Sequence, residues 1–119
     1  MADIQWHTFG PLHYIGFITA FISGIIHLVL GAQAFPSGFG IAFLFAAVAF
    51  FVGIVAVMYG VYRRQMYILG IPFTAGQIVL WYVGNQPTFA TVLSSPAAIV
   101  DKLAQGILIL VLIQLIRTA

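Results

Sequence analysis

The chain has 119 residues, of which 63% are hydrophobic and 5% charged, with a mean hydropathy of +1.15. A soluble domain carries about 25% charged residues, so this chain cannot wet its own surface and reads as a single-domain integral membrane protein over residues 1–119. Four basic against two acidic residues are too few for a nucleic-acid footprint, and the absence of cysteine excludes disulfides and thiolate sites.

The first ten residues contain Asp3 and no Lys or Arg. The basic region of a cleavable signal is therefore missing, and the first helix is expected to persist in the mature protein. Trp6 and His7 suit headgroup depth, and His7 stands without companions for a metal site. Pro11 opens a helix predicted over 11–32, at a position where its missing N–H costs nothing. At about 100° per residue, His13, Gly16, Ala20, Ser23, Gly24, His27 and Gly31 share one arc, while Phe17, Ile18, Phe21, Ile22 and Ile25 lie outside it. The small and polar face must meet protein, and the bulky face lipid.

Ala34, Phe35, Pro36, Ser37 and Gly38 read as a turn. A second helix is predicted over 39–62, where Ala42, Ala46, Ala49, Gly53, Ala56 and Gly60 recur with a mean period of about 3.5. Helices one and two are expected to pair as a hairpin, seam against seam, or to use one seam between subunits. The surroundings of Phe39–Gly40 and Gly84–Asn85 read as turns, and Arg63, Arg64 and Gln65 as the second connection. The third helix is predicted over 66–84, with Gly70, Thr74, Gln77, Trp81 and Gly84 on one face. Pro72 should bend it and free the carbonyl of Ile68. Asn85, Gln86 and Pro87 end that helix, and 88–95 is a polar loop. Ser95 and Pro96 then give an N-cap and first-turn proline for a fourth helix over 96–117.

The expected architecture is all-α, a four-transmembrane-helix bundle with short loops. Arg63, Arg64 and Arg117 fall on one side of such a bundle, which places both termini in the cytoplasm. Counting the rise per residue from the helix midpoints puts His27, Trp81 and Asp101 each ~9 Å toward the outer side, with Lys102 and Gln77 slightly deeper. His27, Gln77, Trp81, Asp101, Lys102 and Gln105 form the expected polar intramembrane cluster. Its preferred core is a His27–Asp101 contact with Gln77 or Trp81 beside it, Lys102 either joining the cluster or snorkelling outward to the headgroups. His13 lies at the inner levels of Met58, Tyr59, Tyr67 and Gln114, within reach of a tyrosine hydroxyl or interfacial water.

The cluster reads first as a clasp fixing helix register, and otherwise as a proton, ion or solute conduit lined by His27, Gln77, Asp101 and Gln105. The spacing of His13 and His27 is similar to that of the paired haem ligands of cytochrome b, which implies haem b as an alternative cofactor. No other membrane helix repeats the pair, so a homodimer or a partner would have to supply further ligands. No nucleophile–base set or phosphate loop is present. The leading expectation is a non-enzymatic accessory or structural subunit without a cofactor. It would sit in the bilayer and pack as a homo-oligomer or within a larger complex.

The run YILGIPFTAGQIVLWYVGN at 67–85, GIIHLVLG at 24–31 and VDKLAQ at 100–105 resemble small uncharacterised four-helix membrane proteins of halophilic archaea. The resemblance implies a fold and a source, and carries no activity.

Overall fold

The computed structural model describes residues 3–85 and 95–118. The described residues are helical apart from turns and connections. A short 3₁₀ turn at Trp6–Thr8 leads into α1 (Pro11–Ala34), α2 (Gly38–Met58), α3 (Arg63–Asn85) and α4 (Pro96–Thr118). α1 packs between α2 and α4, α3 packs on α4, and α2 meets α3 only weakly, so the ring of four is loosely closed. All four helices are long and apolar enough to cross a membrane, and the long axis of the molecule is 44 Å, against ~40–45 Å for a bilayer with its headgroups.

The layers are inverted relative to a soluble bundle. Phe39, Phe45 and Leu80 are 75%, 73% and 73% exposed, whereas Ser23 and Gln105 are completely enclosed. The buried residues of α1 are Gly16, Thr19, Ala20, Ser23, Gly24, His27 and Gly31. This is the face expected from the wheel, with Thr19 added and His13 left at the margin. Thr19 returns its hydroxyl proton to the Ile15 carbonyl at 2.9 Å, so its burial leaves no free donor.

The hairpin of α1 and α2 forms, but not seam against seam. In α2 the buried residues are Gly40, Ala46, Ala47, Phe50 and Val57, while Ala42 and Ala49 stand exposed. The glycines of α1 instead receive bulky side chains: a Cβ on Gly24 would lie 2.9 Å from Phe51 Cε1, and one on Gly31 would lie 2.9 Å from Leu44 Cγ. A period of small residues marks a place where something can approach, and here large rings approach α1 from α2. Phe39 and Gly40 belong to the first turn of α2, capped by Ser37, whose Oγ accepts from the Gly40 N–H at 3.1 Å. Gly84 and Asn85 likewise lie in the last turn of α3.

α2 ends at Met58, four residues before its expected limit, and α3 begins at Arg63. The connection is therefore 59–62, and Arg63, Arg64 and Gln65 are helical. Gly60 takes a left-handed φ of +71°, with Gly60 N–H bonded to Val57 O at 3.1 Å and Val61 N–H to Ala56 O at 2.8 Å. That pair of reversed bonds is a Schellman closure, which places Gly60 just past the helix rather than in its seam. Gly60→Ala should cost about 1 kcal/mol through the left-handed backbone, read as a lowered midpoint of reversible unfolding in mixed micelles; no change would mean that the connection rearranges freely. Pro72 sits inside a continuous α3, and Pro96 opens α4, where Ser95 O accepts from Ile99 N–H at 3.1 Å. Gln86, Pro87 and the loop from Thr88 to Ser94 lie outside the described residues.

Candidate functional site

Three helices each contribute an i, i+4 pair to one level of the bundle: Ser23 and His27 from α1, Asp101 and Gln105 from α4, Gln77 and Trp81 from α3. Ser23 Oγ donates to Asp101 Oδ1 at 2.6 Å, and Lys102 Nζ donates to Asp101 Oδ2 at 2.9 Å, so both carboxylate oxygens are engaged. Lys102 Nζ also donates to Gln105 Oε1 at 2.9 Å and lies 5.4 Å from the Trp81 ring centre. The ammonium therefore turns into the bundle, stabilised by a charge-assisted pair and an aromatic face.

The donor-only ammonium fixes the Gln105 amide. Its oxygen faces Lys102, and its Nε2 donates to Gln77 Oε1 at 3.1 Å and to Ser23 Oγ at 3.3 Å. Gln77 Nε2 closes the chain on the Phe73 carbonyl at 3.2 Å. The six expected residues are thus brought together, with Ser23 as the member the sequence did not single out. Ser23 was legible on the polar face of α1, one turn before His27, but nothing in the sequence set its depth against that of Asp101.

His27 is attached less directly than expected. Its Nδ1 lies 3.8 Å from Asp101 Oδ1 but 2.7 Å from the Ser23 carbonyl. A carbonyl only accepts, so Nδ1 carries the proton and donates within its own helix. Ser23 stands between His27 and the carboxylate, with its Oγ 3.4 Å from Nδ1. The imidazole packs against Phe43 and Phe50, with ring centres 5.4 and 5.7 Å away. A haem at His27 would have to displace both rings.

His13 serves a separate end. Its Nδ1 accepts from Gly10 N–H at 3.0 Å, closing the start of α1, and its ring stacks on Phe9 with centres 5.8 Å apart. No tyrosine hydroxyl bonds it among the described residues. Fourteen positions along α1 separate the two histidines by ~21 Å, and they form two sites rather than one. Among the described residues no three of His, Cys, Asp or Glu gather as a metal set.

Chemically, the Asp101 level is a closed circuit: carboxylate, ammonium, hydroxyl and two amides each face a partner of opposite role. Such a network favours one register of three helices, because sliding α1 or α3 past α4 by a turn breaks the Ser23–Asp101, Gln105–Ser23 or Gln105–Gln77 bonds and leaves buried polar groups without partners. The fold and this network define an all-α bundle with four potential membrane spans and a polar clasp at one end. The chain belongs to a family of unknown function, DUF7475, whose profile matches residues 4–116. No curated protein and no solved structure matches it.

Proposed function

We propose that this is a multi-pass protein of the cell membrane, a small non-enzymatic accessory or structural subunit that packs with itself or with a larger membrane complex. The observation that carries the reading is the closed Asp101 network, in which Ser23, Asp101, Lys102, Gln105 and Gln77 are bonded to one another across three helices. The apolar outer surface, with Leu69, Leu80, Leu103 and Leu110 at least 60% exposed, suits lipid and neighbouring helices. Arg63, Arg64 and Arg117 lie at the ends of α3 and α4 that share one side, which favours both termini in the cytoplasm. The sequence resemblance adds a halophilic archaeal membrane as the source.

Purification from the native membrane in mild detergent, followed by native mass spectrometry, tests the subunit role. The expected result is a particle of several chains or a stable heteromer. A single chain after gentle extraction, with no partner trapped by cross-linking in the intact membrane, would overturn it.

A further inference from the structure

We propose that the cleft between α2 and α3 holds one hydrocarbon chain of a phosphate-headed membrane lipid, with the phosphate seated at Arg63. This rests on the membrane placement of the four helices and is independent of the subunit role. The weak α2–α3 junction leaves a cavity of about 480 Å³, within the ~300–1,000 Å³ of ordinary ligand sites. Its walls on these two helices run from Ala49 to Val57 and from Thr74 to Met66. Eight residues on each helix correspond to ~12 Å of depth, close to the ~15 Å half-thickness of a hydrocarbon core. The cleft is therefore one leaflet deep.

Its floor explains why it stops there. The lining residues Ala20, Thr74 and Leu108 stand three positions from Ser23, Gln77 and Gln105, members of the polar circuit. A chain entering the cleft ends against that circuit and cannot pass into the opposite leaflet.

At the other end a cation that is not itself a wall residue, Arg63, adjoins the cleft through Val57 and is incompletely bonded. Arg63 Nε donates at 2.8 Å to the carbonyl of Val57, itself a wall residue, and the guanidinium lies 5.5 Å from the Phe9 ring centre. Arg63 Nη2 is the buried side-chain polar atom left without a hydrogen-bond partner among the described residues. Neither Arg63 nor Arg64 forms an ion pair among them. An enclosed guanidinium nitrogen lacking an acceptor is costly, and a phosphate oxygen is the acceptor that suits it. His13, on the cleft wall with Nδ1 already accepting from Gly10, presents its Nε2 proton as a further donor. Arg63 also begins α3, where the helix terminus favours an anion.

Gly53 supplies the test, because it lines the cleft and a Cβ there would meet nothing within 4 Å. The detergent-purified protein is titrated with phosphatidylglycerol and with diacylglycerol of the same tails, and bound lipid is counted by native mass spectrometry. One phosphatidylglycerol per chain is expected, held about tenfold better than diacylglycerol, the strength of one charge-assisted pair. Gly53→Phe, with an unchanged helical spectrum, should lose both lipids; Ala49→Phe is the second filling variant. Arg63→Gln should abolish the preference while diacylglycerol binding persists. Equal retention of the two lipids, indifference to both filling variants, or a second chain cross-linked through the cleft would overturn the proposal. The lipid outcomes leave the subunit role untouched, whereas a second chain in the cleft would overturn this proposal while supporting that role.

Discussion

Asp101→Asn destabilises the bundle by about 3 kcal/mol, and adding Lys102→Met recovers more than half of that loss. The amide keeps the shape of the carboxylate and can still accept from Ser23, whose Oγ sits 2.6 Å from Oδ1. What it removes is the counter-charge of Lys102, an ammonium 2.9 Å away whose side chain is 19% exposed. Neutral hydrogen bonds between membrane helices are worth only ~0.6 kcal/mol on average and at most ~1.7, so a larger loss reports the stranded charge. The low end of the ~3–5 kcal/mol range for broken buried pairs applies, because the lysine can partly turn toward the interface. Reversible unfolding of the two single variants and the double variant in mixed micelles measures the coupling. His27→Ala combined with Asp101→Asn should by contrast be additive within about 0.5 kcal/mol, since the His27 donor serves its own helix at Ser23 O. Additivity of the Asp101 and Lys102 losses would mean that the two charges act independently and that the loss at Asp101 does not come from a stranded ammonium.

The two histidine environments were separable in the sequence, because depth along α1 is fixed by residue count. The inward face of α1 was legible for a similar reason: a 3.6-residue period and a medium that rejects polar groups leave one solution. The pairing of that face with α2 was not. Ala42, Ala49 and Gly53 have the right spacing for a seam, yet spacing does not say which face of α2 meets α1: Ala42 and Ala49 stand exposed, Gly53 faces open space, and it is the Phe51 ring that fills the small face of α1 at Gly24. The limit of α2 failed on Gly60, because a residue without a side chain fits a helix seam and a left-handed closure equally well; only the reversed bonds from Gly60 and Val61 decide between them. Ser23 illustrates the same gap within the site. Its hydroxyl was on the expected face, but its role depends on a partner 78 positions away. The cleft was wholly hidden, since it exists because α2 and α3 do not close on each other.

Gly40→Ala should cost 3 kcal/mol or more, whereas Gly53→Ala in the same helix should fall within about 0.5 kcal/mol of the parent or stabilise it slightly. The chemistry is identical, one methyl group added to a helical glycine, so helix propensity cancels in the comparison. At Gly40 the new Cβ would lie 2.6 Å from the carbonyl carbon of Ala34, 2.7 Å from the nitrogen of Phe35 and 2.8 Å from the oxygen of Ala34. All three are backbone atoms at the end of α1, and no rotamer change moves them. Gly31 closes the same crossing from the other side, with a Cβ there 3.0 Å from Gly40 O. Relief therefore requires the two helix ends to separate, which also draws Leu44 away from Gly31 and loosens Phe50 and Phe51 against Gly24. Gly53 faces open space, and its methyl meets no such resistance. Unfolding midpoints of the two variants, measured side by side, give the difference directly. Equal midpoints would mean that α1 and α2 do not cross at backbone contact and that the hairpin is held by its large side chains alone.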